Sequence, residues 1–184
     1  MRNVKLGDCH YPASKLKTIG ITGTKGKTTT TYMVKSILES AGIKTGLIGT
    51  IESVIGDKCV PAANTTPESY RLQELFKEMV DAGMEAVVME VSSQALDQKR
   101  VEGCHFETAV FTNLTQDHLD YHGTMDRYLA AKARLFDLCP VGIVSADDPR
   151  AHQLESLAPA CRFIRCSASG AEGADVRAMR CETQ

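Results

Sequence analysis

Two apolar rhythms alternate along this chain. Short runs of mostly apolar or β-branched residues are separated by longer stretches whose apolar residues stand three and four apart. That alternation predicts an α/β domain, a mostly parallel sheet flanked by helices. The first run, Leu16 to Thr22 (L-K-T-I-G-I-T), predicts a strand. A glycine-rich turn follows, and then Lys27 to Ala41 predicts a helix stopped at Gly42. A second apolar run lies near Thr45 to Ile51, and Gly56 to Thr66 reads as a loop or an irregular hairpin.

Pro67 suits the first turn of a helix. Leu72, Leu75, Phe76, Met79 and Val80 then fall on one helical face, and Gly83 closes that element. Ala86 to Val91 (A-V-V-M-E-V) is almost continuously apolar, as expected of a strand covered on both faces. Phe106 to Leu114 predicts another strand, Met125 to Leu138 a helix, and Val141 to Ala146 a strand. A last helix and strand cover roughly Pro149 to Ser167. The expected organisation is an N-terminal remnant over residues 1–15, one domain over 16–168 and a weakly patterned tail over 169–184.

A length of 184 residues accommodates one full-sized core. The net charge of −2 gives no reason to expect nucleic acid or an anionic membrane as partner. No apolar run approaches the roughly 20 residues that span a bilayer, and Met1 to Asp8 has no apolar signal region. The seven cysteines are odd in number and lack C-x-x-C spacing, so reduced, packed thiols in a cytoplasm are the expectation.

The chemistry begins at Gly23-Thr24-Lys25-Gly26-Lys27-Thr28, between a predicted strand and a predicted helix. A helix N-terminus there presents free N–H groups and the positive end of a dipole to phosphate. The glycines let the backbone come close, Lys27 can reach the β- and γ-phosphates, and the Thr28 hydroxyl can hold Mg²⁺. The strict Walker pattern would place glycine at position 21, which is isoleucine, so this is a variant loop. The four threonines Thr28 to Thr31 are poor helix formers, which counts against a helix start without purpose.

Four segments then carry a resemblance: T-G-T-K-G-K-T-T-T, N-T-T-P-E-S, M-E-V-S-S-Q-A-L and F-T-N-L-T-Q-D-H-L-D-Y-H-G. In this order and spacing, from about Tyr11 to about Arg177, the chain resembles the central ATP-binding domain of the Mur ligases. It is most similar to those that add the third residue of the peptidoglycan stem. The resemblance implies a P-loop NTPase-like fold, ATP and Mg²⁺ as cofactors, and a UDP-N-acetylmuramoyl-dipeptide and an amino acid as substrates. It also implies the reaction: the substrate carboxylate attacks the γ-phosphate, and the incoming amine displaces phosphate from the acyl phosphate.

Residue by residue, the resemblance gives Gly23, Thr24, Lys25, Gly26, Lys27, Thr28 and Thr29 to the nucleotide. Glu90, at a strand's carboxyl end where open α/β sheets bind ligands, joins Thr28 on the ATP-bound Mg²⁺. His118, after the next strand, serves a second Mg²⁺. Lys132, in A-A-K-A-R-L-F, matches the family's carbamylated lysine, whose modification turns a cation into an anion. Lys27, His118 and Lys132 are the implied catalytic groups, and Thr28, Glu90, His118 and Lys132 the implied metal set. Thr65, Thr66, Ser92, Gln98 and Arg100 match positions that bind the muramoyl peptide. Taken without the resemblance, Glu90 is a solvent-facing strand end, His118 a helix cap or packing residue and Lys132 an ordinary helix-surface lysine.

Gln94 stands where the family usually has histidine, and Lys25 where asparagine is common. The family's late asparagine pair, in a G-x-F-N-x-x-N pattern, is not in the sequence, whose asparagines are Asn3, Asn64 and Asn113. The expectation is a chain that binds nucleotide weakly and has little ligase activity without further domains, which could act in trans. Two other readings stay open, a non-catalytic nucleotide-binding module and a folylpolyglutamate synthase-like ligase.

Overall fold

The computed structural model describes residues 12–179. Most of the expected N-terminal remnant, with Cys9, lies outside the described residues, as does Cys181. The described chain forms a nine-stranded sheet: β1 (Lys17–Thr22), β2 (Thr45–Ile48), β3 (Glu52–Ile55), β4 (Lys58–Pro61), β5 (Ala86–Glu90), β6 (Thr108–Phe111), β7 (Val141–Ser145), β8 (Arg162–Ser167) and β9 (Val176–Arg177). Their order is β4-β3-β2-β5-β1-β6-β7-β8-β9. From β2 to β9 neighbouring strands run parallel, and only the β2–β3 and β3–β4 pairs are antiparallel. The mostly parallel sheet is therefore as the alternation predicts.

The helices are α1 (Lys27–Ser40), α2 (Ser69–Asp81), α3 (Ser93–Asp97), α4 (Leu119–His122), α5 (Met125–Ala133) and α6 (Ala151–Leu157). α1 packs across β1, β2 and β5, while α5 packs against α3, α4 and α6. On α2 the predicted face is buried at Leu72, Leu75, Phe76 and Met79, with Val80 partly so. All five residues of β5 are buried, which explains its unbroken apolar run. The core joins these side chains to Phe106, Phe111, Tyr128, Leu135 and Phe136.

Several boundaries differ from the sequence reading. The run near Thr45 to Ile51 is a strand only as far as Ile48; the chain then turns and returns antiparallel as β3. The hairpin turns at Gly56 and Asp57, so β3 precedes the stretch expected as loop or irregular hairpin and β4 falls inside it. Pro67 sits outside α2, one residue before the cap Glu68. The helix expected from Met125 to Leu138 ends at Ala133, and a 3-10 turn covers Phe136–Leu138. β9 lies within the stretch expected as tail and continues the sheet beyond β8.

Candidate functional site

Parallel order places the carboxyl ends of β1, β5, β6, β7 and β8 along one edge, the edge where open α/β sheets carry their chemistry. The loop from Gly23 to Gly26 leaves β1 there and enters α1. Gly23 has φ +145°, and a Cβ on it would collide with Thr112 Oγ1, so glycine is required at this point. Gly26 caps α1 at φ 83°, and no side chain caps the helix, so its first N–H groups have no side-chain acceptor competing with an anion.

The segment after β6 clamps this loop from beside it. Thr24 N donates to Asn113 O at 3.0 Å, Lys25 N to Asn113 Oδ1 at 3.0 Å, and Asn113 Nδ2 to Lys25 O at 3.0 Å. Thr112 Oγ1 donates to Lys25 O at 2.7 Å. Lys27 folds its Nζ onto the loop's own carbonyls, Gly23 O at 3.0 Å and Thr24 O at 3.1 Å. Burial lowers its pKa, opposed by the negative charges of Glu90 and Asp117.

An open cavity of about 420 Å³ lies over the loop, lined by residues 24–29 with Thr50, Thr65 and Glu90. Glu90 is 1% exposed, which corrects the reading of a solvent-facing strand end. Its carboxylate accepts from Thr28 Oγ1 at 2.9 Å, Thr50 N at 2.9 Å and Thr50 Oγ1 at 3.0 Å. Each of these donors is neutral. A buried carboxylate satisfied by neutral donors, beside a hydroxyl and an open cavity, fits a hard divalent cation completed by phosphate oxygens. Among the described residues no three His, Cys, Asp or Glu side chains gather as a metal cluster.

Lys132 and His118 lie apart from that cavity. Lys132 is 1% exposed and not on the helix surface; its Nζ donates to Gly23 O at 2.9 Å and sits 4.3 Å from the centre of the Tyr128 ring. Gly23 O thus accepts from two lysines. Burial, aided by the neighbouring Lys27 charge, lowers the Lys132 pKa to about 7. His118 caps α4 at φ 52°, an uncommon conformation for a non-glycine residue, with its ring edge-on to Tyr128 at 6.1 Å.

The expected substrate residues gather beyond the end of β5. Thr65 faces the cavity, with its Oγ1 3.1 Å from Thr50 Oγ1. Thr66 is buried, donating to Glu90 O at 2.9 Å and accepting from Ser92 N at 3.0 Å, so its hydroxyl is spent on the chain itself. Ser92 caps α3 by accepting from Ala95 N. Arg100 donates from NH1 to Thr66 O at 3.1 Å and from Nε to Gln98 Oε1 at 2.9 Å, and it pairs with Glu68 at 2.9 Å. Sequence reasoning passed over Thr50, which grips Glu90 from the Gly-Thr step after β2, and gave Tyr128 no role.

Fold and site together define a phosphate-loop α/β domain. The family model for the Mur ligase middle domain matches residues 21–183, and the chain belongs to the Mur ligase family. It is 59% identical over 138 residues to the UDP-N-acetylmuramoyl-L-alanyl-D-glutamate–2,6-diaminopimelate ligase of Clostridium perfringens, covering 75% of this chain and 28% of that protein. It is 60% identical over 133 residues to the enzyme of the same name from Geobacillus kaustophilus, covering 71% of this chain and 27% of that protein. A solved structure of a ligase of that name superposes with TM-score 0.80 at 33% identity, covering 88% of this chain and 34% of that one. The chain thus spans less than a third of the length of the curated relatives it matches.

Proposed function

We propose that this chain is the ATP-handling part of a ligase that adds the third stem residue, diaminopimelate in its relatives' names, to UDP-N-acetylmuramoyl-L-alanyl-D-glutamate in the cytoplasm. The observation that carries this reading is the uncapped start of α1 with Lys27 and the Thr28–Glu90 pair around one cavity. The likeness to diaminopimelate ligases supports the choice of substrate.

In this reading the α1 N–H groups and Lys27 hold the ATP phosphates and neutralise the charge that builds as the substrate carboxylate attacks the γ-phosphate. Thr28 and Glu90 would hold Mg²⁺, which supplies further neutralisation of the phosphate oxygens. Thr65, Thr66, Ser92, Gln98 and Arg100 are the proposed contacts of the muramoyl peptide, with the Arg100 guanidinium of a kind that grips an anion. Lys132, with a pKa near 7, offers a neutral amine at physiological pH. Such an amine adds to CO₂ to give a carbamate, which supports the expected carbamylation. His118 is the proposed contact for a second Mg²⁺.

Titration calorimetry with a non-hydrolysable ATP analogue tests the reading. Wild type binds only with Mg²⁺ and Lys27→Ala does not bind; Mg²⁺-independent binding, or equal binding by the variant, removes the proposed site.

A further inference from the structure

A buried chain of contacts runs beside the candidate site without lining its cavity. It begins at Ser93, 1% exposed and the first residue of α3. Ser93 Oγ is placed to donate to Gln94 Oε1 at 3.3 Å. Ser93 Oγ also stands 2.9 Å from His122 Nε2, a contact that the imidazole donates in its Nε2–H tautomer and accepts in the other.

The His122 ring, 7% exposed, stacks on Tyr128 with centroids 5.0 Å apart and planes at 28°. Thr24 Oγ1 donates to Thr115 O at 3.2 Å and accepts from Thr115 N at 3.1 Å. Tyr128 Oη lies 3.2 Å from the same Thr24 Oγ1, a hydrogen bond between the two hydroxyls. Ser93, His122 and Tyr128 do not line the cavity, whereas Thr24 does.

α4, which carries His122, has only four residues, too few to hold a helix by its own hydrogen bonds. Its far end is His118, whose carbonyl accepts from His122 N at 3.0 Å. Anchoring His122 therefore anchors His118 as well.

We infer that His122 is a positioning residue: donating to Ser93 and stacking on Tyr128, it transmits the state of the Ser92–Ser93 turn to Thr24 of the phosphate loop. The inference rests on the reading above only in taking that turn as the substrate side and that loop as the nucleotide side. The two expected binding regions are then coupled by a second, buried route beside the Ser92–Thr66–Glu90–Thr28 contacts that reach the cavity.

A double-mutant cycle on Mg²⁺-nucleotide affinity tests it, with Ser93→Ala, Tyr128→Phe and the pair together. Ser93→Ala is expected to weaken binding by about threefold or more, and to add nothing once Tyr128→Phe is present. Unchanged affinity in Ser93→Ala, or independent multiplication of the two effects, overturns the inference. His122→Gln, whose amide still donates, should keep more affinity than His122→Leu at equal melting temperature. Equal loss in both counts against a role for the donated hydrogen bond.

A nucleotide-free readout separates this idea from the functional one. In ¹⁵N spectra of the wild-type chain His122 should show the Nε2–H tautomer, and Ser93→Ala should shift the Thr24 amide. A Thr24 amide that ignores Ser93→Ala overturns the coupling. A shifted amide in a chain that binds no nucleotide leaves the coupling standing and removes only the ligase reading.

Discussion

The Thr28 hydroxyl donates to Glu90 Oε1 at 2.9 Å, joining the first turn of α1 to the carboxyl end of β5. This contact stands where a cation shared by the two side chains would separate them. Glu90→Gln keeps the shape and an acceptor oxygen while removing the charge. Its unfolding free energy should stay within about 1–3 kcal/mol of wild type, because one buried contact is exchanged for another. Mg²⁺-dependent nucleotide affinity should fall at least about tenfold. Calorimetry beside urea denaturation reads both; a variant that still responds fully to Mg²⁺ excludes Glu90 from the metal.

Lys132 sets a pH dependence. Burial and the Lys27 charge lower its pKa from 10.5 to about 7 in the folded chain. Between those values the unfolded chain binds a proton that the folded chain does not, so this residue makes stability rise with pH from about 7 toward 10.5. The slope it adds is at most about 1.4 kcal/mol per pH unit. Lys132→Met should flatten the rise, as read by urea melts at pH 7, 8 and 9. Parallel slopes in the two proteins contradict a depressed Lys132.

Asp147, just beyond β7, works at the acid end. Its carboxylate accepts from Ser167 Oγ at 2.7 Å, Ser169 Oγ at 2.7 Å and Ala168 N at 2.8 Å, and these bonds hold it well below the usual carboxylate range. Stability from this group is complete above its ordinary pKa of 3.8 and drains away as pH falls below it. Asp147→Asn should make acid unfolding less steep there. An unchanged acid limb in circular dichroism would show that the loop after β8 does not depend on the charge.

Thiol chemistry follows burial. The Cys104 thiol is pushed up to about 11 and that of Cys139 to about 12, in both cases chiefly by burial, and Cys161 is raised for the same first reason. Cys59 is exposed on β4. Alkylation of the native chain followed by peptide mass spectrometry should mark Cys59 well before Cys104 and Cys139, which react only on unfolding. Early modification of Cys104 would show that the packing around α2 opens readily.

The elements easiest to read were those whose burial imposes a period. β5 shows because both its faces are covered, and α2 because a single stripe of its surface is. α3 and α4 have five and four residues, too short for any helical period to accumulate. The phosphate loop was legible because its chemistry is local. The setting of Lys132 was not. Its buried place is made by Gly23 O and the Tyr128 ring; Tyr128 stands one turn earlier on α5, but Gly23 is remote in sequence and nothing in A-A-K-A-R-L-F announces it. Glu90 likewise looked exposed because Thr50, which covers it, belongs to another strand's end.

The antiparallel return from β2 through β3 to β4 shapes how this molecule meets its own copies. A parallel sheet that stopped at β2 would end on a fully buried apolar strand, an inviting template for another chain. The described sheet ends there instead on β4, four residues long with Lys58 at one end and Pro61 at the other. Lysine resists desolvation and proline has no N–H to offer, so a second molecule finds little to extend. The β4 margin thereby discourages edge-to-edge stacking, and the hairpin guards that side of the described sheet.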